Sequence, residues 1–169
     1  MSGTQKFGAA PKESVVMGKN VYVGPFTTLG FAGFGFETNK DGTYKKPLTR
    51  KKHDFKVIIG NNVEIGCSCC INKGSWRDSI IDSGTKIDNL VHTGHNTQIG
   101  KDCIIACGVT LGGSTTIGDN CFIGMGAKTK QGVKIGNNCY IEMGAIVTQD
   151  MPDNTRAKTV KSEIVDNHT

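Results

Sequence analysis

The sequence predicts an all-β chain wound as a triangular parallel β-helix. Three observations lead there: a six-residue repeat of aliphatic side chains, 23 glycines in 169 residues, and only 7% aromatics. Glycine is costly inside helices, which argues against a helical bundle. A hydrophobic content of 37% is thin for a thick globular core.

The repeat is read by stepping six from Ile81. The residues met are Ile81, Ile87, Thr93, Ile99, Ile105, Leu111, Ile117, Ile123, Thr129, Ile135, Ile141 and Val147. Two positions earlier stand small or β-branched residues: Ser79, Thr85, Val91, Thr97, Cys103, Val109, Thr115, Cys121, Ala127, Val133, Cys139 and Ala145. Period six is neither the helical period nor plain strand alternation. It fits a short strand, a corner and another short strand, so that three such units close one coil. Asn61-Asn62, Lys101-Asp102, Asp119-Asn120 and Asn137-Asn138 each follow an aliphatic-Gly pair, and such residues tolerate the left-handed backbone of a corner.

Met17, Val23 and Leu29 keep the period, as do Ile59, Ile65 and Ile71. Two interruptions remain. Four extra residues sit near Gly74–Asp78, and up to 24 project as a loop over about 31–55. The β-helix is assigned to residues 1–148, with six or seven coils about 4.8 Å apart. Residues 149–169 are expected to form a terminal cap, which solenoids need.

Seven cysteines, an odd number, favour a reducing cytoplasm over a disulfide framework. No apolar run is long enough for a membrane span, and Met1–Lys12 lacks a secretory-signal pattern. The net charge of +5 suits anionic small molecules; too few aromatics accompany it for nucleic-acid binding. Cys103, Cys121 and Cys139 recur once per coil and should stack as packing residues. Neighbours within Cys67-Ser68-Cys69-Cys70 point to opposite faces, so packing is again favoured over a metal site. No histidine lies one coil away from His92 or His95, which leaves a three-histidine zinc site without support.

His95 follows an inward position, where the chain meets a corner. At the equivalent place one coil on stands Gly113, beside Gly112. An imidazole next to bare backbone N–H groups is what acyl transfer needs: a base for the attacking amine or hydroxyl, and a donor for the oxyanion. Asp88 could orient that imidazole. The competing reading is a surface histidine beside turn glycines.

The stretches Val57–Gly66, Ile71–Gly74 and Ile87–Asn96, with Gly33-Phe34-Gly35-Phe36 ahead of them, resemble the UDP-3-O-acylglucosamine N-acyltransferases of the hexapeptide-repeat superfamily. The resemblance covers about Val15 to Val147. It implies a left-handed β-helix, a homotrimer and active sites between neighbouring subunits. The family's catalytic histidine falls on His95, its partner aspartate on Asp88 and its oxyanion-binding glycine N–H on Gly113. Candidate acceptor-binding residues are Phe34, Phe36 and Asn89, with Trp76 from the four-residue insertion. That family also has a uridine-binding domain for which this chain has no room, and a second histidine that aligns with Gly132. The end, Ala145–Asn154, instead resembles coenzyme A-dependent sugar acetyltransferases.

Together these imply a short sugar N-acetyltransferase with acetyl-CoA as donor, no metal, and a nucleotide-linked amino sugar as acceptor. Lys128, Lys130, Arg156, Lys158 and Lys161 are candidates for the coenzyme phosphates. A longer acyl chain from an acyl carrier protein, O-acetylation, and a non-catalytic scaffold stand as alternatives.

Overall fold

The structure, a computed structural model, describes residues 12–34, 37–45, 55–160 and 162. After a 3-10 turn at Lys12–Ser14, the chain winds as the expected left-handed parallel β-helix, with six complete coils and a partial seventh. Each coil lays one strand on each of three walls. The first wall runs from Val15–Met17 through Val57–Ile59, Ser79–Ile81, Gln98–Ile99 and Thr116–Ile117 to Lys134–Ile135. The second runs from Tyr22–Val23 to Arg156–Ala157, and the third from Thr28–Ala32 to Ile146–Val147.

The registers show why the sequence repeats as it does. Gln98 pairs with Thr116 and Thr116 with Lys134, three hexads on each time. Ile81, Ile99, Ile117 and Ile135 therefore stack on one wall inside the prism, each 2% exposed. The small residues two positions earlier are buried as well. Cys103, Cys121 and Cys139 line one interior column, and each Sγ donates to a carbonyl of the next coil at 3.1 Å. The thiols thus serve the interior packing expected of them.

Corners follow one rule: the second corner residue adopts a left-handed backbone. Between the first and second walls these residues are Asn20, Asn62, Gly84, Asp102, Asn120, Asn138 and Asn154. Side chains here also tie coil to coil. Asn61 Oδ1 accepts from Lys19 N, Asp119 Oδ1 from Lys101 N, and Asn137 Oδ1 from Asp119 N, at 2.7–2.8 Å. The corner asparagines and aspartates read from the sequence are therefore rungs of a hydrogen-bonded ladder.

The two insertions appear as longer steps between paired strands. Val15 pairs with Val57 and Val57 with Ser79, where the uninterrupted coils pair residues three hexads apart. Both insertions leave at the corner between the third and first walls. The longer one starts later than expected: Phe31 and Ala32 still pair with Asn72 and Lys73, across a bulge at Gly30 (φ 79°). It includes an antiparallel pair, Glu37–Thr38 with Tyr44–Lys45.

The far end also differs in detail from an abrupt break at Pro152. Met151 bridges to Ile135, and Arg156–Ala157 pairs with Tyr140–Ile141, so the winding continues with a step of 16. Arg156 lies 4.8 Å over the Tyr140 ring, which stacks on Phe122 at 4.9 Å, and pairs with Glu142 at 2.8 Å.

Candidate active site at the third corner

The corner between the third and first walls carries His95, and one coil later Gly113 and Ser114. Their stacking follows from register: His92–Thr93 pairs with Thr110–Leu111, and Ser114 N donates to His95 O at 2.7 Å. A Cβ placed on Gly113 would lie 2.9 Å from both Cε1 and Nε2 of His95. One on Gly33 would lie 2.7 Å from His95 Cβ and 2.8 Å from Cδ2. The imidazole thus lies between two glycines, where any side chain would displace it.

The Gly113 N–H differs from several of its counterparts. At some other corners the corresponding N–H is capped by a side chain of the next coil, as Cys67 N is by Asn89 Oδ1 and Asp119 N by Asn137 Oδ1, whereas Cys107 N, Met125 N, Gln131 N and Met143 N have no acceptor among the described residues. Gly113 N likewise has no acceptor among the described residues. It is a bare donor beside an imidazole edge.

Asn96, left-handed at φ 60° and buried, holds the ring from the other side. Its Oδ1 accepts from Ser75 N at 2.7 Å and Trp76 N at 3.2 Å, so its amide NH2 must face His95. Nδ2 then donates to His95 Nδ1 at 2.6 Å. With Nδ1 as acceptor, a neutral ring carries its proton on Nε2. Arg77 secures the same segment. Its Nε donates to Asn96 O at 3.1 Å and its guanidinium lies 4.9 Å over the Trp76 ring.

The remaining expected residues divide between corners. Phe34 and Trp76 are exposed near His95, at 89% and 59%. Lys128 and Lys130 are exposed on the same side, two coils further on. Asp88 and Asn89 lie at the opposite end of the third wall, beyond Val91–Thr93, which put about 10 Å of extended chain between the corners. There Asp88 Oδ1 accepts from Asn89 N at 2.7 Å. Asp88 also borders a cavity of about 420 Å³ lined by Tyr22, Glu64, Lys86 and Ile104 on the second wall. Arg156 is committed to Glu142 and Tyr140 on that wall, with Lys158 just beyond. Phe36 and Lys161 fall outside the described residues.

Sequence reasoning gave no role to Asn96 or Gly33. A signal existed for Asn96, since it occupies the second corner position, where asparagine recurs. Nothing in the repeat announces that Gly33, where the long insertion opens, reaches across to His95.

Comparison with known proteins agrees with this architecture. Residues 78–113 match the model for "Bacterial transferase hexapeptide (six repeats)" and residues 114–149 that for "Hexapeptide repeat of succinyl-transferase". The chain is 45% identical over 98 residues to UDP-3-O-acylglucosamine N-acyltransferase 2 of Legionella pneumophila (strain Paris), 58% of this chain and 27% of that one. It is 48% identical over 80 residues to a probable mitochondrial counterpart from Arabidopsis thaliana, 47% of this chain and 25% of that one. The matches thus span about a quarter of those relatives. Among solved structures, LpxA from Acinetobacter baumannii superposes with a TM-score of 0.71 at 22% identity, over 83% of this chain and 51% of that one. That likeness is one of fold.

Proposed function

Residues 78–149 match two models of transferase hexapeptide repeats, and from that premise we propose that this protein is an acyltransferase. It moves an acetyl group from acetyl-CoA to the amino group of a nucleotide-linked sugar. The observation that carries the reading is the His95 imidazole against the bare Gly113 N–H. The acceptor amine attacks the thioester carbonyl, His95 takes its proton, and the Gly113 N–H holds the oxyanion. Collapse expels the coenzyme thiolate, which the imidazolium protonates. Lys128 and Lys130 meet the coenzyme phosphates.

This chemistry asks for more than one copy of the chain. With Asn96 donating to Nδ1, the neutral ring holds its proton on Nε2, the nitrogen beside Gly113. For Nε2 to serve as the base, that proton must move to Nδ1. Asn96 must then give up its bond to Nδ1, and a carboxylate taking its place would draw the proton there and stabilise the imidazolium that follows; Asp88 of the same chain is at the far corner. We infer a homotrimer in which Asp88 of the partner subunit approaches His95. Apolar residues beside Asp88 support an interface there. Leu90 is 66% exposed and Phe26 87%, both in the left-handed conformation that bulky residues rarely adopt.

The test is a His95→Ala protein that keeps the parent's oligomeric state, assayed for thiol release from acetyl-CoA with UDP-, dTDP- and GDP-linked amino sugars. A loss of about 100-fold or more is expected; turnover within threefold of the parent overturns the mechanism. The relatives are named N-acyltransferases, with no acetyl group specified, which leaves room for a second reading: a longer acyl chain, delivered by an acyl carrier protein. Activity with that donor and not with acetyl-CoA would select it.

A further inference from the structure

Cys70 and His92 face one another on the outside of the third wall. The register makes them direct partners in adjacent strands, about 4.8 Å apart along the stack. Their successors Ile71 and Thr93 are buried, so alternation turns Cys70 and His92 outward. Both are half-buried. The thiol donates to Asn72 Oδ1 at 3.7 Å, and Thr28 of the preceding coil is the residue's strand partner on the other side. The neighbouring imidazole, opposed by partial burial, holds the Cys70 thiol below its ordinary range. The thiol in turn holds the His92 imidazole above its own. Cys69, Cys103, Cys121 and Cys139 are buried, while Cys67 and Cys107 are half-buried outside this column.

We propose that Cys70 and His92 form an activated thiol centre that accepts an acyl group from an acyl thioester. A cysteine set against an imidazole on the neighbouring strand is the arrangement that supplies a nucleophilic thiolate. The outward column continues through Thr110 to Lys128, about 10 Å beyond His92, a cation placed for the donor's phosphates. The Cys70 thiolate attacks the thioester carbonyl, and the bond from that carbon to the donor sulfur breaks. The donor thiolate leaves with the proton held by His92. One thioester replaces another, so the exchange needs no oxidant, reductant or further co-reactant. The choice of thioester rests on the acyl-transfer reading above; the activated thiol does not.

The full chain is incubated with acetyl-CoA at neutral pH and its cysteines are mapped by mass spectrometry before and after hydroxylamine. A parallel sample is treated with limiting iodoacetamide. Both reagents should modify Cys70 at least tenfold faster than Cys67 and Cys107, and His92→Gln should remove most of that advantage. Equal modification of the three cysteines overturns the proposal, as does alkylation of Cys70 without acetylation. If His92→Gln does not fold, the ranking of cysteines within the parent decides alone. A Cys70→Ser protein should lose self-acylation while retaining acceptor-dependent thiol release. Loss of acceptor-dependent release in the parent, with Cys70 still acylated, would count against the sugar acyltransferase reading and leave this centre standing.

Discussion

Single atoms decide what the third corner can do. Because a Cβ on Gly113 would stand 2.9 Å from the imidazole, Gly113→Ala should displace the ring. Acyl transfer should fall at least tenfold while the thermal midpoint changes little; an alanine variant of parental activity would remove Gly113 from the site. Thr93 offers the opposite case. It occupies an inward position where most coils place an aliphatic, and its Oγ1 is buried without a partner among the described residues. An orphaned buried hydroxyl is costly, so Thr93→Val should raise stability by about 1 kcal/mol in chemical denaturation. Thr129, two coils on, should not behave alike, since its hydroxyl bonds Thr115 at 2.8 Å and Gly112 N at 3.0 Å. The His95–Gly113 contact was legible in the sequence because both lie in uninterrupted repeat, where counting three hexads finds the neighbour. The Cys70–His92 pair was not, since the insertion stretches that step to 22. Asn96 was missed for the same reason: its partners Ser75 and Trp76 belong to the insertion.

At the scale of an element, the closing strand Arg156–Ala157 has the most conditional attachment. It pairs with Tyr140–Ile141 and is clamped from outside by Glu142. Glu142 accepts from Thr159 N at 3.0 Å and Arg156 Nε at 2.9 Å. These contacts, Thr159's first, hold the Glu142 carboxyl below its ordinary 4.5. A carboxyl depressed in the folded state contributes stability above its unfolded value and loses it as pH falls through the folded one. The Thr159 amide resonance should therefore titrate with a midpoint below 4.5, and Glu142→Gln should abolish the transition. A midpoint at or above 4.5 would show that the clamp is not formed. The repeat made the winding up to Val147 legible. Past it, Pro152 and a polar sequence suggested a break, yet a step of 16 carries the chain round once more because the residues lost come from a corner rather than from the paired strand.

Over the whole molecule, the placement of Asp88 and His95 at opposite corners makes assembly part of the proposed chemistry. Proteins carrying His95→Ala or Asp88→Asn should each be inactive. Refolded together, they should recover activity in mixed trimers, because one seam then receives an intact histidine from one copy and an intact aspartate from another. No recovery after verified co-assembly would mean that the two residues do not meet across a seam. The two insertions carry a different consequence. Both depart from the corner that holds His95, and after each the strands resume their stacking in full. The corner between the first and second walls is tied rung to rung by side chains, and a change there would propagate along the stack. Evolution can therefore rewrite what surrounds the imidazole, in length and in composition, without renegotiating the scaffold that presents it.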